Sequence, residues 1–245
     1  MKQQLLNIFK KIKRILIQQI YKTISDIKRC KIKKSYSQCG EDLIIRTVFD
    51  SLSIKKPFYI DIEAHHPTYI SNTALFYKKG CRGICVEPDP YLFRKFKSKR
   101  KKDICLNIGI GKKETLADFY IMSTRTLNTF SKEEAENCMK NNEDKIKKTI
   151  PVKLQPINDI IEKNCNTKPN FISLDTEGLD FEILKTFDFN KYRPEVFCIE
   201  TLEYSTGKKS KEIIDYMEQR NYFVYADTYI NTIFVDYNSW KNRNI

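Results

Sequence analysis

From residue 36 onward, short runs rich in β-branched and aromatic residues alternate with stretches of helical periodicity, and no other feature limits the fold so strongly. The apolar runs cover 58–62, 83–87, 103–108, 171–175, 195–200, 222–226 and 232–236. Candidate helices fall near 41–51, 72–79, 91–99, 181–184 and 208–220. Strands that are apolar throughout and separated by helices imply a parallel sheet covered on both faces. The last two runs lie too close together for a right-handed crossover, so an antiparallel pair is expected there. The predicted fold is α/β: doubly wound and mostly parallel, with one antiparallel edge strand.

Residues 112–165 interrupt this alternation and read as an insertion of the kind that forms a lid or a substrate-binding segment. Short strands are expected at 119–122 and 149–154, and a short helix at 157–161. Ser131-Lys-Glu-Glu134 is a capping box opening a helix to about Asn141. Gly109-Ile-Gly111 reads as a turn. The domain plan is therefore an extension over 1–35 and one large domain over 36–245.

The net charge of +13 is concentrated at one end. Residues 1–35 hold nine Lys and two Arg against Asp26 alone, so the other 210 residues carry only +3. The excess belongs to a tail and not to the body, which argues against nucleic acid as the partner. Leu5, Phe9, Ile12, Leu16, Ile20, Ile24 and Ile27 share one face of a helix. This N-terminal amphipathic helix could lie on an anionic membrane surface or dock on a partner; it could equally pack on its own domain or on a dimer mate. A second basic run, Arg94 to Lys102, reads either as an anion-attracting patch or as a solvated helix face. No apolar run approaches the ~18 residues of a membrane span, and no signal peptide is apparent. The 8 Cys form no C-x-x-C pair, and Cys85, Cys105 and Cys198 fall in apolar runs. Scattered thiols suit a reducing compartment, so a cytoplasmic location is expected, with peripheral contact to the inner face of the membrane if the tail binds lipid.

In an open parallel sheet, ligands bind beyond the carboxyl ends of the strands. Those ends are polar here: Asp61-Ile-Glu63-Ala64-His65-His66 after the first strand, Glu87-Pro88-Asp89 after the second, Asn107 after the third, Asp175-Thr-Glu177-Gly178 after the fourth and Glu200 after the fifth. Glu87, 26 positions after Asp61, stands where an acid accepts both hydroxyls of a ribose, unless it caps the following helix instead. Asn107 could face an adenine edge or simply form a turn.

Residues 37–42 (SQCGED), 59–90 (YIDIEAHHPTYISNTALFYKKGCRGICVEPDP) and 171–184 (FISLDTEGLDFEIL) resemble the FkbM family of S-adenosylmethionine-dependent methyltransferases. The segments 119–135 and 231–236 are similar to it as well, so the likeness spans about 36–240 in order. It implies a seven-stranded Rossmann-like sheet and transfer of a methyl group to oxygen, often on a sugar of a surface polysaccharide or glycolipid. It further implies that Asp61 and the loop through Glu63 and Ala64 hold the methionine end of the cofactor. Glu87 and Pro88 would hold the ribose, with Asn107 and Ile108 beside the adenine. Gln38 and Glu41 would close the pocket, and Asp175 and Glu177 would face the methyl group and the acceptor. One position departs from the D-x-G-A pattern of the family: Glu63 replaces its glycine. That carboxylate could bind the cofactor's amino group, or it could obstruct the site and mark a catalytically silent relative that binds a glycan or a partner.

A sugar hydroxyl attacks well only when a base removes its proton. Asp175 is one candidate base, and His66, of the adjacent pair His65-His66, is another. His66 could also hydrogen-bond the substrate or support the loop. Two carboxylates, Asp175 and Glu177, do not by themselves make a metal site, and none is assigned.

Overall fold

The computed structural model describes residues 16–19, 34–141, 144–176, 178–203 and 207–243. It separates into two compact units, one through Lys34 and one from Ser35 onward. Of the first unit only 16–19, which are helical, and Lys34 are described; most of the amphipathic face expected over 1–35 lies outside the described residues. Among the described residues no helix is long and apolar enough to cross a membrane.

The second unit opens with α1 (Glu41–Ser51) and continues as β1 (Tyr59–Ile62), α2 (Ala74–Lys78), β2 (Gly83–Val86), α3 (Pro90–Lys99) and β3 (Ile104–Leu106). Then come β4 (Gly109–Ile110), β5 (Thr115–Met122), a 3-10 turn (Arg125–Leu127), α4 (Lys132–Asn141), β6 (Ile146–Gln155) and α5 (Ile157–Asn164). The remainder is β7 (Phe171–Leu174), α6 (Asp180–Thr186), β8 (Val196–Glu200), the pair β9 (Leu202–Glu203) and β10 (Lys208–Lys209), α7 (Lys211–Glu218), β11 (Tyr222–Asp227), β12 (Asn231–Asp236) and α8 (Tyr237–Lys241).

Seven strands form the main sheet in the order β11-β12-β8-β7-β1-β2-β3. Every residue of β1, β2, β7 and β8 is buried, as a sheet layered between helices requires. Alternate side chains feed two cores. Ile60, Ile62, Ile84 and Phe197 meet α5, α6 and α7, whereas Tyr59, Cys85, Phe171 and Val196 meet α1, α2 and α3. The chain runs outward from β1 to β3 and then returns to β7 on the other side of β1. The strand order therefore reverses at β1 and β7, and a crevice opens at their carboxyl ends.

One expectation for this sheet needs correction. β12 is indeed antiparallel to β11, but it is not the edge: it lies between β8 and β11 and is antiparallel to both. All six of its residues are buried, while in β11 only Tyr222 is buried and the other five residues are partly or fully exposed, as in an outer strand.

The insertion forms a separate three-stranded sheet, β4-β6-β5, around Phe119, Ile121 and Val152. Gly109-Ile110, read from sequence as part of a turn, is β4 and pairs with Leu154 and Gln155. A Cβ on Gly109 would lie 2.4 Å from the Phe130 ring, so only glycine lets this strand pass. The inserted unit ends at Gln155, because Ile157, Ile160 and Ile161 of α5 pack in the main core. The Ser131 hydroxyl accepts the Glu134 N–H at 3.2 Å, as the capping box predicts.

Candidate active site

A cavity of about 210 Å³ lies at the carboxyl ends of β1, β2, β7 and β8. Its walls include the carboxylates of Asp61, Glu63, Glu87, Asp175 and Glu200, each delivered by a strand or by the residue just after one. Gln38 borders it from the N-terminal side, and residues 125–128 of the insertion border it from above, with Leu92 and Phe119 as apolar walls. Arg125, the one Arg or Lys among the described lining residues, is already paired with Asp89.

Asp89 decides what Glu87 can do. Its Oδ1 accepts the Tyr91 N–H at 2.8 Å and so caps α3, which leaves Glu87 free of that duty. Glu87 Oε1 instead accepts the Asp89 N–H at 2.8 Å, and the carboxylate also receives the His65 backbone N–H. Two backbone donors thus aim Glu87 into the cavity. Burial still pushes its carboxyl well above the usual carboxylate range. Asp89 Oδ2 receives Arg125 and, at 3.2 Å, the Asn128 side-chain amide, while the Arg125 guanidinium lies 4.6 Å from the Tyr91 ring. The roof is therefore fastened to the start of α3. None of residues 125–128 was singled out from sequence, since the fastening spans 36 positions and no local pattern reveals it.

On the floor, Asp175 Oδ1 is buried and has no hydrogen-bond partner among the described residues. The Asp175 carboxyl is raised by burial and further by Glu41, and a hydrogen bond with Glu200 opposes this. Such an acceptor, desolvated and unused, is costly unless a ligand meets it. Beside it, Asp61 is pushed up to about 6 by burial, against the Thr73 hydroxyl and Arg100, which favour the charge. The Thr176 N–H donates to Asp180 Oδ1 at 3.0 Å and fixes the turn after β7. Glu177 lies outside the described residues.

The cavity takes in only part of the residue set expected from sequence. His66 does not line the cavity; its Nδ1 accepts the Thr68 N–H at 3.2 Å and supports the loop. His65 lines it instead, and burial, with His66 and Lys95 nearby, lowers its imidazole to about 4, so it is neutral near pH 7. Asn107 does not line this cavity: it is exposed, and its amide donates to the Glu87 and Pro88 carbonyls at 2.8 and 2.9 Å. Pro88 and Ile108 do not line the cavity, and Ile108 packs against the core. Glu41 also stands apart from the lining, accepting Thr228 Oγ1 at 2.7 Å and the Asn231 amide at 3.1 Å. Burial acts to raise Glu41, yet these bonds and the Cys39 N–H outweigh it and hold the carboxyl below its ordinary value. Gln38, Asp61, Glu63, Ala64, Glu87 and Asp175 do meet at one cavity.

Glu63 occupies its place at a conformational cost. Its φ is +53, the left-handed region, and His65 (+51) and Ile70 (+46) share that region in the same loop. A non-glycine residue there costs about 1–2 kcal/mol. Glycine would remove that cost but loses ~0.5–1 kcal/mol through its greater unfolded-state freedom. Glu63→Gly is therefore expected to stabilise the fold by about 0.5–1 kcal/mol, read as a higher urea midpoint at unchanged m-value. A lower midpoint would show that the glutamate side chain holds the loop.

Residues 61–224 match the sequence model of the Methyltransferase FkbM domain. No curated protein matches the sequence. Among solved structures, one described as a caffeoyl-CoA O-methyltransferase from Staphylococcus aureus is similar with a TM-score of 0.45 and 8% identity, over 89% of this chain and 91% of that one. The METTL16 methyltransferase domain is similar with a TM-score of 0.44 and 10% identity, over 83% and 70%. A structure described as an RNA methyltransferase from Pyrococcus horikoshii gives 0.38 and 10%, over 84% and 91%.

Proposed function

This chain belongs to the FkbM methyltransferases, whose methyl donor is S-adenosylmethionine, and on that premise we propose that it methylates a hydroxyl group of a carbohydrate acceptor, on a surface polysaccharide or a glycolipid. The observation that carries the reading is the unpartnered, buried Oδ1 of Asp175 on the floor of a cavity lined by four further carboxylates. A base belongs where an alcohol must lose its proton, and that atom has no hydrogen-bond partner among the described residues.

The residues fit the donor. S-adenosylmethionine, when bound, supplies an electrophilic methyl group on a positively charged sulfur. An acid-lined cavity attracts that charge and the cofactor's ammonium, and it attracts the uncharged thioether product less. Asp61 would hold the amino group and Glu87 the ribose hydroxyls, while Leu92 and Leu127 offer apolar surface for a base ring. Asp175 would take the acceptor proton, with Glu200 sharing the charge through their hydrogen bond. Neutral His65 can orient the acceptor by hydrogen bonding without adding a competing cation. The roof of residues 125–128 would limit water at the reacting atoms.

Calorimetry with S-adenosylhomocysteine, together with mass analysis of surface glycans from cells with and without the chain, tests this reading. Binding, plus loss of one CH₂ increment from a glycan when the chain is missing, is expected. Absence of binding would favour the other reading, a silent relative that binds a glycan or partner, which Glu63 in the cavity motivates. Binding with unaltered glycans would move the acceptor elsewhere.

A further inference from the structure

Arg100 is the member of the basic run 94–102 that departs most from a solvated helix face. It is 1% exposed and sits at the C-terminal cap of α3. A buried guanidinium requires acceptors for its five N–H groups, and it is tolerated only when they are supplied. Here they are. Nε donates to the Pro67 carbonyl at 2.9 Å, Nη1 to the Tyr59 hydroxyl at 3.2 Å and to Asp103 Oδ2 at 3.3 Å, and Nη2 to Ser71 Oγ at 3.1 Å and Thr73 Oγ1 at 3.3 Å. The rings of Tyr77 and Phe96 lie 5.0 and 5.7 Å from its central carbon.

Three of those acceptors, Pro67, Ser71 and Thr73, belong to the loop that carries Glu63, His65 and Ile70 in left-handed backbone. Strained backbone of this kind persists only where its surroundings over-determine it. Thr73 adds a further link, because its hydroxyl donates to Asp61 Oδ2. The other two acceptors, Tyr59 and Asp103, anchor the same guanidinium to the sheet, and Tyr59 donates to Asp103 at 2.6 Å. One side chain therefore joins the sheet, the strained loop and, through Thr73, a carboxylate of the cavity.

We infer that Arg100 is a positioning residue for the donor site: it clamps the 63–73 loop against the sheet and aligns the Asp61 carboxylate through Thr73. This rests on the reading of Asp61 as the group that holds the donor's ammonium. The surroundings of Asp61 are consistent with the role. Asp103 disfavours its charge, the Thr73 and Ser173 hydroxyls favour it, and Arg100 is the cation that does so; Glu87 and the Cys85 and Cys198 thiols also face it and are themselves held up in part by the Asp61 charge. The Asp61 carboxyl, pushed up to about 6 by burial, would rise further without that cation. Loss of Arg100 should therefore extend the protonated form of Asp61 toward neutral pH.

Two readouts on the full chain test the clamp. The first is the titration of Asp61 in apo protein carrying ¹³C-labelled aspartate carboxyls; the second is S-adenosylhomocysteine affinity by calorimetry at pH 8. In Arg100→Met the Asp61 midpoint is expected to rise by about one pH unit or more, and affinity to fall about 10- to 100-fold. Arg100→Lys keeps the charge beside Asp103 and so guards against a variant that does not fold. It should still lose about tenfold in affinity, because one ammonium cannot span Pro67, Ser71 and Thr73 together. An Arg100 that served stability alone would lower the melting temperature yet leave the Asp61 midpoint and the affinity of folded variants unchanged, and that result overturns the inference. If wild-type protein binds no S-adenosylhomocysteine, the reading of Asp61 fails, whereas the apo titration still decides whether Arg100 governs that carboxyl.

Discussion

Asp175→Asn is expected to reduce methyl transfer by about 10²–10⁴-fold, the usual worth of a positioned general base, while S-adenosylhomocysteine affinity changes only a few-fold. The substitution is isosteric and leaves a hydrogen-bond partner for Glu200, so packing at the end of β7 is preserved. What it removes is the buried Oδ1 as a proton acceptor. The measurement is incorporation of labelled methyl groups into glycans prepared from cells that lack the chain. Its pH profile carries a second sign: a base works only when ionised, so turnover should fall as pH drops through the Asp175 pKa. Burial raises that pKa, and so the acid limb of the wild-type profile should lie above the ordinary carboxylate range. Unaltered turnover in the Asn variant would remove Asp175 from the mechanism.

The second large effect concerns binding and not rate. Glu87→Ala deletes the acceptor that two backbone N–H groups hold at the end of β2. Two hydrogen bonds from ribose hydroxyls to this group, at about 1.5–3 kcal/mol each, place the expected loss of S-adenosylhomocysteine affinity at roughly 10²-fold or more. A 2′-deoxy analogue sharpens the test. Wild-type protein should discriminate against it, and the Ala variant should bind both ligands almost equally, since the partner of the missing hydroxyl is gone. Continued discrimination in the variant would assign the ribose to another residue.

The parts of this molecule that sequence alone reveals are those governed by local periodicity. The central strands β1, β2, β7 and β8 are mostly apolar runs, because both of their faces are covered, and the acids at their ends mark the crevice. Asp61, Glu87 and Asp175 were therefore visible before any coordinates. The position of β12 was not. Its ends, Asn231 and Asp236, are polar yet buried, and they hide an interior strand behind the composition of an outer one. The choice between His65 and His66 was equally hidden. Positive φ at Glu63 and His65 breaks any repeating orientation, so adjacent side chains point where no period predicts. Arg100 shows the same limit in reverse, since a Lys/Arg-rich run reads as solvated and only the fold surrounds one of its members with acceptors.

The place of β12 also governs when the molecule can become whole. A chain emerging from the ribosome delivers β11 before β12, yet β12 must enter the slot between β11 and β8. Until then β8 and β11 have no common partner and two strand edges stay open, a condition that invites pairing with other chains. A nascent protein halted at residue 230 would thus carry a gap inside its sheet, not a trimmed border. It would also lack Asn231, which anchors Glu41 from the beginning of the domain. Synthesis and completion of the sheet are consequently linked: the β11-β12 hairpin acts as a keystone, and a chain that stops before β12 lacks the strand that joins β11 to β8.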